Sequence, residues 1–155
     1  MSIAIGQKAP KFKLFDTEKN PHYMDDYKGR NVVLLFFPFA FTSVCTKEMC
    51  AMRDDYSFYG KTGTDIVGIS VDSLFTLKKW KEEHKLEFTL LSDFNKEVSA
   101  AYDSLYVEWK YGYRGVSKRS SFVVDKTGII VYKEILENAD DFPNIEAINA
   151  VLKRL

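Results

Sequence analysis

The run Asn31-Val32-Val33-Leu34-Leu35-Phe36-Phe37 is apolar at every position after the first, stands between Lys28-Gly29-Arg30 and Pro38, and is rich in β-forming side chains. It is too short for a buried helix and shows no alternation, so it reads as a central, buried strand. Asp65-Ile66-Val67-Gly68-Ile69-Ser70-Val71 is a second run of the same kind. Between them, Met49, Met52, Tyr56 and Tyr59 recur at helical spacing, which predicts one helix from Ser43 to Tyr59. Strand, helix and strand in this order make a βαβ unit with parallel strands.

The rest of the chain completes that unit. Ser73 is placed to cap a helix running to about His84, with Leu74, Leu77 and Trp80 on one face, and a short strand follows near Phe88 to Leu91. Ser120-Ser121-Phe122-Val123-Val124-Asp125 and Ile129-Ile130-Val131-Tyr132 flank the turn Lys126-Thr127-Gly128, which predicts an antiparallel hairpin with Gly128 at positive φ. Asp141 or Asn144 then caps a last helix striped by Ile145, Ile148, Val151, Leu152 and Leu155. A βαβ half followed by a hairpin and a closing helix predicts an α/β, thioredoxin-like fold, a central mixed β-sheet flanked by α-helices. The 155 residues fit one such domain, spanning 1–155. There is no internal repeat or low-complexity segment.

Lys+Arg and Asp+Glu balance at 22 each, so no overall positive field draws the chain to nucleic acid or anionic lipid. No apolar run approaches the roughly 20 residues of a membrane span, and the opening lacks a basic segment followed by an apolar core. The expectation is a soluble, cytoplasmic protein. In that compartment a lasting structural disulfide is not expected, so Cys45 and Cys50, five positions apart, point to catalysis, redox sensing or metal binding. Two inert core thiols are the plain alternative. Cys45 follows a strand and a Pro turn and falls just inside the next helix, where unpaired N–H groups and the helix dipole favour thiolate.

Pro38, Thr42 and Cys45 spell PxxxTxxC, the active-site signature of peroxiredoxins, and the chain resembles that family over nearly its whole length. Phe37 to Cys45, Arg53-Asp54, Arg119 to Asp125 and Gly128-Ile129-Ile130 resemble the one-cysteine alkyl hydroperoxide reductase E branch. Cys45-Thr46-Lys47-Glu48-Met49-Cys50 is similar instead to the bacterioferritin comigratory protein (peroxiredoxin Q) branch, in which a second Cys five residues on resolves the first. The opening Ile5-Gly6-Gln7-Lys8-Ala9-Pro10-Lys11-Phe12 is also similar to the family's usual start.

The resemblance implies reduction of hydrogen peroxide or organic hydroperoxides with no cofactor, and recycling by a thioredoxin-like or other thiol reductant. Cys45 would be the nucleophile that becomes sulfenic acid. Arg119 would favour the thiolate and hold the peroxide through its fork of donors, unless it is an ordinary strand-edge charge like Arg114 and Lys118 nearby. Thr42 would serve sulfur and peroxide through its hydroxyl, cap the helix, or both. Pro38 would be a rigid wall without an N–H, and Glu48 an orienting partner for an Arg or else a surface charge. Cys50 would resolve Cys45. In a regular helix five residues separate the two Cα atoms by about 8.6 Å, beyond the roughly 7 Å limit of a disulfide, so the helix must unwind for that bridge.

Tyr102, Tyr106, Trp109, Tyr111 and Tyr113 have two readings: a connection covering the sheet edge, or an exposed functional surface. The second would be the wall of an apolar peroxide pocket or a self-association face, and the reductase E branch often forms homodimers near its active site. His22 and His84 receive no role, and Lys47, Lys78, Lys79, Lys81, Glu82 and Glu83 read as solvated. Among competing functions, a thiol–disulfide oxidoreductase would use CxxC, which is absent. A copper-binding module of the same fold would pair the two Cys with a distant His.

Overall fold

The fold is that of a computed structural model, which describes residues 2–155. Seven strands form one mixed sheet in the order β2-β1-β5-β4-β3-β6-β7. They are β1 (Lys13–Asp16), β2 (Pro21–Tyr23), β3 (Asn31–Phe36), β4 (Thr64–Ser70), β5 (Thr89–Ser92), β6 (Ser120–Val124) and β7 (Ile130–Ile135). β3, β4 and β5 are parallel neighbours, whereas β6 runs antiparallel to both β3 and β7. The helices are α1 (Ser43–Asp54), α2 (Tyr56–Lys61), α3 (Leu74–His84), α4 (Glu97–Ala101) and α5 (Ile145–Lys153). The thioredoxin-like architecture expected from the sequence is present.

β3 explains why its sequence does not alternate. Val33, Leu35 and Phe37 join a core on one face of the sheet with Met49, Met52, Tyr59, Leu77, Trp80 and Leu152. Val32, Leu34 and Phe36 join a second core on the opposite face with Leu14, Met24, Val67, Tyr102 and Phe122. All six residues of the strand are buried, so both pleats contribute to stability. Gly68 on β4 leaves room for the side chains of Leu90 on β5 and Phe37 after β3. A Cβ there would meet Leu90 Cδ2 at 2.7 Å and Phe37 Cε1 at 3.3 Å.

Some boundaries differ from the sequence reading. The helix expected from Ser43 to Tyr59 is two helices, broken at Asp55 (φ −96°, ψ 10°). Asp54 and Asp55 at a helix C-terminus oppose the dipole, while Asp55 at the start of α2 suits it. The redirected α2 buries Tyr59, whose hydroxyl donates to Asn149 Oδ1 at 2.9 Å on α5. Asn144, not Asp141, caps α5 by accepting from Ala147 N–H at 3.0 Å. Leu155 lies beyond that helix and is exposed.

The hairpin at Gly128 (φ 86°) and the Ser73 cap of α3 form as expected, and the strand expected near Phe88 to Leu91 is shifted one residue. The hairpin of β1 and β2 was not expected. Its strands have four and three residues, too few for a period to show, and its turn is closed by Asp16 Oδ1 accepting from Glu18 and Asn20 N–H. No helix among the described residues is long and apolar enough to cross a membrane.

Candidate active site

β3, β4 and β5 all end at the same edge of the sheet, and the site is built where β3 hands over to α1. After Phe37 N–H donates to Ile69 O, Pro38 turns the chain. The loop is then held from below, because Ala40 N–H donates to Asp72 Oδ2 at 2.8 Å. Ser70 Oγ donates to the same oxygen at 2.7 Å. Asp72 is a positioning residue that the sequence did not point to, since it acts from the next strand-to-helix junction. Phe41 follows in the left-handed region (φ 70°), and Thr42 occupies the N-cap position.

Thr42 does not cap α1 with its side chain. Its hydroxyl donates to Phe39 O at 2.8 Å. Cys45 is the third residue of α1 and has no exposed surface. Glu48, one turn on, lies on the same side of the helix and is equally buried.

Arg119 joins them. It directly precedes β6, whose Ser120 pairs with Phe36 of β3, so register sets Arg119 beside the turn that leads to Cys45. Its guanidinium donates from Nη2 to Cys45 Sγ at 3.1 Å, from Nη1 to Glu48 Oε1 at 3.1 Å and from Nε to Ala139 O at 3.0 Å. Arg119 is itself 2% exposed, so this is a buried ion pair and not a strand-edge charge. The second carboxylate oxygen of Glu48 has no partner.

Burial dominates the electrostatics. It pushes the Cys45 thiol above its ordinary value, against the pull of the Arg119 charge, the Thr42 hydroxyl and the Phe39 peptide, and with a further push from Glu48. The cause is loss of solvent, because a buried thiolate gives up its hydration. Burial likewise raises Glu48 to about 7, although Arg119 works in the opposite direction. Two potential anions thus share one cation, and a neutral Glu48 leaves the whole Arg119 charge to sulfur. The Thr42 hydroxyl lies close enough to sulfur to favour its charged form while its hydrogen goes to Phe39 O.

A cavity of about 540 Å³ reaches this cluster at Arg119. Pro38, Thr42, Val44 and Arg119 border it on the Cys45 side, and Phe39, Trp109, Tyr111 and Tyr113 stand around it. Of the aromatic stretch, Tyr102 belongs to the core, packed on Phe36 and Phe122, while Trp109, Tyr111 and Tyr113 line the cavity. Cys50 is half-buried farther along α1, and both cysteines are free. No group of three or more His, Cys, Asp or Glu among the described residues is arranged to hold a metal ion. His22 is engaged by Asp16 Oδ2 at 2.8 Å and by the Tyr27 hydroxyl.

A sheet of this topology carrying a buried Cys–Arg–Glu cluster at a helix start defines a class of thiol-based redox proteins, and comparison narrows it. Residues 5–133 match the AhpC/TSA family, and the chain belongs to that family of peroxiredoxins. It is 40% identical over 132 residues to a putative peroxiredoxin bcp of Coxiella burnetii, covering 84% of this chain and 87% of that protein. It is 37% identical over 133 residues to peroxiredoxin Bcp of Bacillus subtilis, covering 84% of each. The crystal structure of peroxidoxin BcpB from Mycobacterium tuberculosis superposes with a TM-score of 0.87 at 27% identity, over 99% of this chain and 98% of that one. Of the two branches the sequence resembles, these relatives carry the name of the bacterioferritin comigratory branch. The chain is a thiol-dependent hydroperoxide reductase.

Proposed function

We propose that Cys45 is the peroxidatic residue and that Cys50 resolves it within the same chain. The observation that carries the first part is the Arg119 guanidinium, which touches Cys45 Sγ and Glu48 together and also borders the cavity. The Cys45 thiolate attacks the terminal oxygen of ROOH, the S–O bond forms as the O–O bond breaks, and the departing RO⁻ takes up the proton the thiol released. Arg119 and Thr42 stabilise charge as it moves from sulfur to the leaving oxygen, and buried Pro38 keeps water from the reacting pair. Glu48 orients Arg119.

Resolution by Cys50 is supported by sulfur chemistry and by the similarity of Cys45 to Cys50 to the bacterioferritin comigratory branch. Cys50–SH and Cys45–SOH condense to a disulfide and water, and a thioredoxin-like dithiol then returns both thiols by exchange. Because both lie on continuous α1, the helix unwinds between them first. Such recycling suits a reducing compartment, and we place the protein in the cytoplasm.

The test is peroxide consumption with thioredoxin or a monothiol as reductant, for wild type, Cys45→Ser and Cys50→Ser. Cys45→Ser removes activity with either reductant. Cys50→Ser loses the thioredoxin-driven turnover and keeps a single oxidation. Mass spectrometry after one equivalent of peroxide should find a Cys45–Cys50 bridge. A stable Cys45 sulfenic acid in wild type would make this a one-cysteine enzyme served by an external thiol, and Cys50 a packing residue.

A further inference from the structure

α1 is tied to α3 near both of its ends, and the ties are unequal. At the far end Arg53 Nη1 donates to His84 O at 2.7 Å, a charge-assisted bond to the last residue of α3. Met49 and Met52, in the same half of the helix, have no exposed surface and belong to the core. At the near end one neutral bond does the holding: Thr46 Oγ1 accepts from Trp80 Nε1 at 3.3 Å. Thr46, Cys50 and Arg53 recur at i, i+4 and i+7, so half-buried Cys50 shares the face of α1 that meets α3. Cys45 stands just before the weak tie, and Cys50 stands in the anchored half.

Trp80 is poorly placed to let Thr46 go. Its indole N–H can only donate, and the side chain has no exposed surface. The ring is packed against Phe37, Phe41 and His84, at 5.2, 6.5 and 6.2 Å between centroids. Departure of Thr46 would leave a buried donor without its acceptor, which is unfavourable. The bond is not what makes this turn helical, because Thr46 N–H already donates to Thr42 O at 3.0 Å. What it opposes is separation of the turn from α3.

We propose that Thr46 and Trp80 form a latch on the first turn of α1, and that its release carries Cys45 to a stationary Cys50. This rests on Cys50 as the resolving residue. Oxidation weakens the other hold on the turn, because a neutral sulfenic acid attracts Arg119 less than a thiolate does. The latch then sets a competition. While it is closed, a second ROOH converts Cys45–SOH to Cys45–SO₂H and ROH; once it opens, Cys45–SOH and Cys50–SH give the disulfide and water. Neither Thr46 nor Trp80 borders the cavity, so both act as positioning residues.

Hydrogen exchange of the reduced enzyme and stopped-flow oxidation test the latch in wild type, Thr46→Val, Thr46→Ser and Trp80→Phe. Thr46→Val keeps the shape and loses the acceptor, Thr46→Ser keeps the acceptor, and Trp80→Phe keeps a ring and loses the donor. In Thr46→Val and Trp80→Phe the amides of Thr46 to Met49 should exchange about fivefold faster or more, with those of Ala51 to Asp54 unchanged. Peroxide-dependent oxidation of Cys45 should stay within about twofold of wild type, while the later, peroxide-independent closure of the disulfide speeds up about fivefold or more. The peroxide concentration that gives half-maximal sulfinic acid, read by mass spectrometry, should rise in proportion. Thr46→Ser should match wild type throughout. Unchanged exchange, faster exchange along the whole of α1, or a Thr46→Ser that matches Thr46→Val overturns the proposal. Faster exchange without faster closure of the disulfide does so too. If exchange responds as expected and wild type forms no disulfide, it is the Cys50 assignment that fails.

Discussion

Two strand-to-helix junctions lie side by side at the edge of this sheet and solve the same problem differently. After β4, Ser73 takes an extended backbone and its Oγ accepts from Thr76 N–H at 3.2 Å, so α3 begins with an ordinary side-chain cap. After β3, Thr42 takes a similar backbone, but its hydroxyl turns back to Phe39 O and α1 begins without one. The first turn of α1 instead places Cys45 in contact with Arg119. One junction is capped in the ordinary way, and its neighbour forgoes about 1 kcal/mol of capping while its hydroxyl ties back to the loop before it. The junctions are also coupled, because Asp72, next to Ser73, holds the loop that precedes Thr42.

The comparison can be broken most severely at Arg119. Arg119→Lys keeps a charge but loses the planar fork that serves Cys45, Glu48 and Ala139 together, so stopped-flow oxidation of Cys45 should slow tenfold or more. An unchanged rate would return Arg119 to a structural role. Thr42→Val removes the hydroxyl while keeping the shape, and should slow the same step about tenfold with little change in stability. Thr42→Ser should recover most of the rate.

Glu48→Gln sharpens the electrostatic half of the contrast. Glu48 is raised to about 7, so it is neutral below that pH and ionised above it, where its charge competes with the thiolate for Arg119. The amide is neutral throughout. Iodoacetamide labelling of Cys45 should therefore be a few-fold faster in Glu48→Gln than in wild type above pH 7, with the two converging below it. Stability should follow the same sign. A carboxyl raised in the fold favours folding below its unfolded value, and that contribution fades as pH climbs through about 7, so wild type should lose stability over this range and the variant should not. The smallest effect belongs to the conventional junction. Ser73→Ala should cost about 1 kcal/mol in denaturant unfolding and alter the peroxide rate less than twofold.

The sequence was legible where a residue's role is decided by its neighbours in the chain. β3 announces itself by composition, α3 and α5 by cap and stripe, and the turn at Gly128 by its conformational demand. The placing of Cys45, Thr42 and Pro38 together at one strand-to-helix turn was legible for the same reason, since they share one short stretch. Legibility fades where a role depends on distant packing. The break at Asp55 answers to the burial of Tyr59 against α5, and Asp72 reaches Ala40 across 32 positions. Trp109 and Tyr113 could be told from Tyr102 only by three dimensions, since one aromatic stretch supplies both a core residue and a cavity wall. The pull of burial on Cys45 was equally hidden, because a motif names its donors and not the water it excludes.

Phe41 gives the site a spring. A bulky side chain in the left-handed region holds roughly 1–2 kcal/mol of conformational strain. Asp72 anchors the loop just before it, and α1 begins just after it. The folded loop is thus loaded at its hinge, and any motion that frees the first turn of α1 returns that energy to the chain. Under the proposed resolution by Cys50, an opening that resets Phe41 would cost less than opening an unstrained turn of the same length.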